Sequence, residues 1–569
     1  MVQYQFIALA ALAATAVTSK ISVQVHRNLE VAKQSNVVVK FHCDDALATH
    51  RRRLKVGASR TETIESLVDS LKEHTTTSQA SVKSLLANQI ESTAVEVGTT
   101  WIDCSMYIDN ATDDLVQKIA ALPEVKSIYE PVVMELSQTK SDDKPASPVN
   151  EAIEWGVKKI QAPALWAQGI KGDGIVVAII DSGVRHTHES LKSNWRSEYG
   201  WFDPYNKTKL PSDTVGHGTH VLGVMVGTKG IGVAPNAKWI ACKGCGEKLC
   251  NPRMVKQCAQ FLLCPHNNDG KKCDPSKAPH VINMSTGKHG KKLWLEEMIV
   301  RWRDAGIIPV FPNGNDGLEG CAYSDYPAGS PHVIAVGNTD DNDSLAIDSS
   351  LGPFGKHRKP DISAPGVRIR SAEKFKDDSF SLKSGTSMSA PHVAGAIALY
   401  LSANKGASYD QVYKTLTENA DTDTLTPPDK TCGGIANTKY PNNLFGYGRL
   451  NIFNAVAADF PGLTLPPPSK STQVLNPFND LSTCGTLEVN TNYIGGDLTS
   501  VNLATAESCC AECKKTPGCK LFVWYTLNGG LCRLKDTQGP KVHVDGAKAG
   551  VLPAPALARR PFFRASPPV

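Results

Sequence analysis

Three short segments carry the residue types that acyl transfer requires, and they occur in a fixed order. Asp181-Ser182-Gly183 offers a carboxylate, His217-Gly218-Thr219-His220 an imidazole, and Gly385-Thr386-Ser387-Met388-Ser389-Ala390-Pro391 a hydroxyl. A serine hydroxyl is a weak nucleophile at neutral pH. It reacts when an imidazole takes its proton and a carboxylate holds that imidazole in the right tautomer. Each residue taken alone has an ordinary reading: a solvated strand-end Asp, a core His, a Gly/Ser turn. Three such motifs together make Asp181, His217 and Ser387 a candidate set of orienting acid, general base and nucleophile. The ordinary reading is kept for His220, expected to pack and hydrogen-bond, and for His186, His188 and His392.

The elements around them fit that assignment. Asp181 ends the apolar run Gly174 to Ile180, which reads as a buried strand. His217 opens a helical pattern running to Val226. Ser387 stands where a turn enters a helix of small residues, Ala390, Ala394, Gly395, Ala396 and Ala398. The free N–H groups and positive dipole end of that helix favour negative charge beside the nucleophile. Lys238 to Cys242, His280 to Ser285, Ile307 to Phe311 and Val333 to Gly337 are further continuous apolar runs. Continuous apolarity means a strand covered on both faces, as in a parallel sheet. Helical patterns at Met254 to Cys264, Trp294 to Ala305 and Thr386 to Leu401 alternate with these runs. Residues 151–458 are therefore expected to form a doubly wound α/β layer structure, with its site at the carboxyl ends of the strands.

The order Asp, His, Ser, with these flanking glycines and hydroxyls, resembles the subtilisin-like serine proteases, or subtilases. Gly156 to Trp166, Pro360-Asp361-Ile362-Ser363-Ala364-Pro365-Gly366, and the bacillopeptidase F-like stretches Lys238 to Cys245 and Trp302 to Ile307 extend the resemblance over the catalytic region. It implies a secreted serine endopeptidase acting on protein or peptide substrates through an acyl-enzyme. In Asn313-Gly314-Asn315-Asp316-Gly317 it makes Asn315 the side-chain donor of the oxyanion hole, beside the Ser387 backbone N–H, and leaves Asn313 a turn residue. It makes Ser285-Thr286-Gly287 the edge that pairs with the substrate backbone, although Trp or Leu is common in the family where Thr286 stands. It gives residues 20–150 the role of an inhibitory propeptide that assists folding and is then removed. Asp325, before Tyr326-Pro327-Ala328, falls near the floor of the pocket for the residue preceding the cleaved bond. A buried carboxylate there favours Lys or Arg; a solvent-facing loop Asp is an equally weighted reading. Phe311-Pro312 is bulky for a pocket wall.

Two exclusions follow. Many subtilases insert a calcium loop after the histidine helix. Here Val226 to Pro235 is short and lacks carboxylate or amide ligands, while calcium takes about six to eight oxygens. No metal and no cofactor are expected. Two rival classes are also weighed, a catalytically dead subtilase acting through its C-terminal module and a carbohydrate hydrolase. The intact triad with Asn315 opposes the first, and the lack of a placed carboxylate pair opposes the second.

The whole chain has 569 residues and a formal net charge of +5. That mild excess, with no basic block beyond Arg51-Arg52-Arg53, gives no reason to expect a nucleic-acid partner. The sixteen cysteines fall in groups of two (Cys43, Cys104), eight (Cys242 to Cys432) and six (Cys484 to Cys532), as expected if each segment closes its own disulfides in an oxidising compartment. Phe6 to Val17 is too short an apolar run to span a bilayer, so residues 1–19 read as a signal peptide and no membrane span is expected. Helices over Thr61 to Leu71 and Thr112 to Leu122, a strand at Val37 to Val39 and a strand region over Val125 to Leu136 make residues 20–150 a small α/β fold. Ser137 to Asn150 reads as a cleavable linker. Residues 459–480 form a Pro-rich linker and 481–545 a disulfide-rich α+β module. The module's Cys509-Cys510-Ala-Glu-Cys513, Gly518-Cys519 and Cys532 resemble the PAN/Apple family, which implies binding to a glycan or a surface protein. Glu507 to Lys515 reads as its helix, with Cys510 and Cys513 placed to staple it to the sheet. Trp524, Tyr493 and Tyr525 are either a sugar platform or core. Residues 546–569 are expected to be disordered. Asn110, Asn206 and Asn342 are potential glycan acceptors, whereas Asn283 ends a strand and is expected to be inaccessible.

Overall fold

A strand covered on both sides must send its apolar side chains alternately into two cores. Val176–Asp181 does so in the computed structural model of the protein. Val177 and Ile179 enter one core, Ala178 and Ile180 the other, and all four are fully buried. The structure describes residues 20–87, 96–136, 139–141, 153–267, 270, 272–290, 294–465, 487–503, 505–525 and 530–552. The expected signal segment, Cys484, residues 553–569 and most of both expected linkers lie outside them. The chain divides into two compact units between Leu465 and Pro466.

The first unit begins with α1 (Val23–Ala32), β1 (Gln34–Phe41), α2 (Asp45–Arg53), α3 (Arg60–Ser78), α4 (Ala80–Ala87), β2 (Val97–Thr100), β3 (Ser105–Thr112), α5 (Asp113–Ala120) and β4 (Val125–Tyr129). The strands form an antiparallel sheet in the order β2-β3-β1-β4. Val25, Val37, Val39, Met106, Ile108, Leu115 and Ile128 give it a core of its own. Helix α3 opens on a capping box between Ser59 and Glu62. Its residues Ile64, Leu67, Val68 and Leu71 belong instead to a core shared with the layers that follow.

Those layers comprise β5 (Met134–Leu136), β6 (Lys140–Ser141), α6 (Trp155–Lys159), α7 (Ala162–Trp166), β7 (Val176–Asp181), β8 (Trp201–Phe202), α8 (His217–Val226), β9 (Lys238–Lys243), β10 (Leu249–Cys250), α9 (Pro252–Leu263), β11 (Val281–Asn283), β12 (Thr286–Gly287), α10 (Glu296–Asp304), β13 (Ile308–Pro312), β14 (Ile334–Thr339), β15 (Ile362–Pro365), β16 (Ile369–Ala372), β17 (Phe380–Ser384), α11 (Thr386–Ala403), α12 (Tyr409–Glu418) and α13 (Ile452–Asp459). Seven strands make a parallel sheet in the order β15-β14-β13-β11-β7-β9-β8. Helices α8 and α11 share one core with it, and α9 and α10 the other. This is the expected α/β fold, a subtilisin-like parallel sheet covered by helices.

The second unit is an antiparallel sheet of β18 (Glu488–Tyr493), β19 (Asp497–Asn502), β20 (Leu521–Tyr525), β21 (Leu531–Lys535) and β22 (Lys541–Val551), ordered β18-β22-β20-β21-β19, with helix α14 (Ala506–Lys515) against it. Strand β22 corrects the expected tail. Residues 546–551 are ordered in it, and Ala547 and Ala549 are buried in the module core. Small residues that read as low complexity there serve as close-packed strand positions. Trp524 is buried with its indole N–H donating to the Leu503 carbonyl, and Tyr493 is buried with its hydroxyl on Glu488, so neither offers a face to a sugar.

Fourteen of the described cysteines pair within their own segments: Cys43–Cys104, Cys242–Cys258, Cys245–Cys250, Cys264–Cys273, Cys321–Cys432, Cys509–Cys532 and Cys513–Cys519. In the helix of the second unit Cys509 is joined to Cys532 of β21 and Cys513 to Cys519 just before β20, and Cys510 is disulfide-bonded as well. Among the described residues no helix is long and apolar enough to cross a membrane.

Candidate active site

Strand β7 ends at Asp181 and helix α8 begins at His217, and the two meet without clearance. A β-carbon built at Gly218 would lie 2.2 Å from the Gly183 carbonyl oxygen and 3.0 Å from the Asp181 β-carbon. Glycine there lets the helix end approach the strand end. Gly216, the helix cap, has φ 92°, a region glycine enters without strain. The approach leaves His217 Nδ1 2.8 and 3.0 Å from the two Asp181 carboxylate oxygens. Asp181 is fully buried and His217 nearly so. The Ser182 N–H donates to Asp181 Oδ1 at 2.7 Å, and Ser182 Oγ accepts from the Gly218 N–H.

The loop before His217 is organised by Asp213, which the sequence reading did not single out. Its carboxylate accepts from Ser182 Oγ, from the N–H groups of Val215, Gly216 and Thr219, and from Thr219 Oγ1. Lys383 Nζ, from β17, donates to the Gly216 carbonyl. Their only sequence signal was proximity to the motif.

Ser387 is the second residue of α11, after Gly385, and is fully buried. Its Oγ and His217 Nε2 are both buried and make no hydrogen bond in this structure. Hydrogen bonds of this kind are often long in unliganded sites and tighten when substrate binds. Asn315 is oriented by Thr386. The Thr386 N–H at 2.9 Å and Oγ1–H at 2.8 Å both donate to Asn315 Oδ1. The Asn315 amide packs against Gly385, whose added β-carbon would lie 3.3 Å from its nitrogen and 3.4 Å from its oxygen. Asn313 is not the turn residue expected: it continues straight on from β13, fully buried, with its N–H on the Val336 carbonyl and its amide donating to the Ser350 carbonyl at 2.6 Å.

Ser285 Oγ donates to the Ser387 carbonyl at 3.2 Å and accepts from the Asn283 amide at 2.9 Å. Asn283 is fully buried, as its strand position implied. The next residues, Thr286 and Gly287, form β12 and pair antiparallel with β5, Thr286 with Leu136 and Gly287 with Glu135. The other side of β5 pairs with β10, Leu249 with Glu135 and Cys250 with Met134. Met134 and Leu136 are buried, and Glu135 meets Lys288 at 3.0 Å. Past the site, Lys140 of β6 pairs with Ser384, three residues before Ser387. One segment of the chain's own N-terminal part thus lies along both sides of the site. The two-residue strand β10 was not read from the sequence; so short an edge has no periodicity to read.

Asp325 is buried, which removes its solvent-facing reading. Burial first, then the carboxylates of Asp316 and Glu135, push its acid up to about 8. His220 is buried with Nε2 against the Ile369 and Ser381 carbonyls. Its pKa lies well below the ordinary value through burial and then Lys383. His188 and His392 are buried on the Ser379 and Met388 carbonyls, and His186 lies against the Pro211 carbonyl. Among the described residues no cluster of His, Cys, Asp or Glu is placed to hold a metal ion.

Comparison with known proteins agrees with this geometry. Residues 172–448 match the model of the subtilase family, and residues 491–535 that of the PAN domain. Bacillopeptidase F of Bacillus subtilis (strain 168) is 32% identical over 490 residues, 79% of this chain; the chain spans only 33% of that protein's length. M-protease of Shouchella clausii (strain KSM-K16) is 30% identical over 325 residues, 56% of this chain and 74% of the relative. Subtilisin Savinase of Lederbergia lenta is 32% identical over 274 residues, 48% of this chain and 92% of the relative.

Proposed function

The chain belongs to the subtilase family of subtilisin-like serine endopeptidases, and on that premise we propose that Ser387, His217 and Asp181 cleave peptide bonds in a protein made as a secreted zymogen. Ser387 Oγ attacks the scissile carbonyl while His217 Nε2 takes its proton. Asp181 holds the ring through Nδ1–H and stabilises the imidazolium. The oxyanion is received by the Asn315 amide and the Ser387 N–H. His217 returns the proton to the leaving amine, which departs and leaves an acyl-enzyme. Water, deprotonated by His217, then releases the acid and frees Ser387.

One observation carries the reading. The buried Asp181–His217 pair leaves His217 Nε2 without a hydrogen bond, and Ser387 Oγ is likewise a buried polar atom with none. Buried polar atoms are normally satisfied, and exceptions call for a functional explanation. The zymogen reading is supported by β5, seated between β10 and β12 where a substrate backbone would pair. On it, residues 20–150 are an inhibitory propeptide, cleaved within the stretch from Ser137 to Asn150. Secretion is supported by the disulfides in both units, which persist in oxidising compartments. The PAN domain is proposed to tether the enzyme to a glycan or a surface protein. Casein hydrolysis by the wild type, abolished by a serine-directed inhibitor, tests the activity. Ser387→Ala is expected to lower kcat about a millionfold. Casein cleavage at the wild-type rate by Ser387→Ala would overturn the assignment.

A further inference from the structure

We propose that Asp325 determines specificity, selecting substrates with lysine or arginine immediately before the cleaved bond; this deepens the endopeptidase reading and rests on it. The carboxyl group lies between two backbone segments of the site. A β-carbon added to Gly287 would stand 2.8 Å from Asp325 Oδ2, and one added to Gly314 would stand 2.8 Å from the same oxygen. Gly287 belongs to β12, which pairs with Glu135 of the segment lying in the cleft. Gly314 immediately precedes Asn315. The Asp325 N–H donates to the Asn313 carbonyl at 2.9 Å, fixing the acid to the loop that carries Asn315. Two glycines thus let the acid pack directly against the strand that pairs with β5 and against the loop that carries Asn315.

A buried structural carboxylate is ordinarily tied down by hydrogen bonds or an ion pair. Asp325 is 7% exposed, its Oδ1 has no hydrogen bond, and no cation pairs with it among the described residues. The charged groups around it are Asp316 and Glu135, with Lys288 engaged by Glu135 and His289 stacked on Tyr323. The site therefore presents acid without counter-charge, and a guanidinium or ammonium from the substrate supplies it. Because the empty acid is raised to about 8, it is mostly protonated at neutral pH, and an entering cation displaces that proton. Selectivity for the charged side chain accordingly rises as pH increases towards and through 8.

The test compares peptides identical except for arginine, lysine, citrulline, phenylalanine or leucine before the scissile bond, using enzyme matured from the full chain. Citrulline keeps the shape of arginine without its charge, so the wild type alone answers. Arginine is expected to exceed citrulline in kcat/KM by about thirtyfold or more, with the ratio growing between pH 6.5 and 9. Asp325→Asn is expected to abolish that ratio while still cleaving the neutral peptides. Equal rates for arginine and citrulline, or a preference for phenylalanine or leucine, would overturn the inference and leave the endopeptidase reading intact. A wild type that cleaves none of the peptides would overturn both.

Discussion

Asn315 can serve an oxyanion only if its amide nitrogen, and not its oxygen, faces the developing oxyanion. Thr386 decides the matter. A backbone N–H can only donate, so the amide atom it touches must be the oxygen. On the proposed mechanism Asn315→Ala lowers kcat by about 10²- to 10³-fold with KM little changed. Thr386→Val keeps the N–H contact and loses the hydroxyl, so a smaller kcat loss of about tenfold is expected. Steady-state kinetics on one peptide would separate the two. Buried imidazoles set a second expectation at this scale. Burial pushes His280 and His392 down to about 4 from 6.5, so both are neutral in the folded state at neutral pH. Unfolding lets them take up protons. Their contribution is present above 6.5 and is lost as pH falls towards 4. The Tm should fall across that window, and His392→Gln should flatten part of the slope.

The elements that hold the triad were the most legible part of the sequence. The pattern from His217 to Val226 was read with the ends that α8 has, and the run ending at Asp181 is β7. Those segments are apolar all round because they are buried all round, which is what a one-dimensional pattern reports well. Strand β10 was beyond it, since two residues have no period and its partner, β5, lies more than 110 positions away in the chain; β12 was legible only through the family resemblance of Ser285-Thr286-Gly287. Strands β2 and β3 were missed because polar and small residues interrupt their apolar ones. Helix α11 shows how tight the packing is. A β-carbon at Gly395 would lie 2.7 Å from the Val233 β-carbon and 2.8 Å from the Met225 carbonyl. Gly395→Ala is therefore expected to destabilise the folded protein by about 1–3 kcal/mol, through overpacking against backbone that cannot yield, despite alanine's better helix propensity. Thermal unfolding measures it.

At the scale of the whole molecule, the N-terminal sheet is joined to the catalytic layers by a buried ion pair. Asp103 lies 2.6 Å from Lys256 of α9, and both are nearly inaccessible. Burial pushes the Asp103 acid up, but Lys256 and then Lys40 outweigh it and hold it at about 2. A depressed acid contributes above its unfolded value near 4, and the contribution is lost as pH falls towards 2. On the proposed zymogen reading, acidification to pH 5 should therefore not release the propeptide through this pair. Asp103→Ala strands a buried lysine, a loss of about 3–5 kcal/mol, and should weaken inhibition by the separated propeptide two to three orders of magnitude. A titration of mature enzyme with propeptide at pH 5 and pH 7.5 checks both statements. On the proposed zymogen reading, N-terminal sequencing of the mature chain should find its start within the stretch from Ser137 to Asn150.

The seating of β5 between β10 and β12 has a kinetic consequence. While the backbone is continuous, the occupant of the groove is held there at an effective local concentration of about millimolar, whatever the bulk dilution. On the proposed zymogen reading, severing the connection turns the same contacts into an ordinary two-body equilibrium. Latency then depends on how crowded the surroundings are: a dilute pool of clipped molecules switches on, while a dense one, such as a vesicle lumen, stays silent until the displaced piece is itself digested.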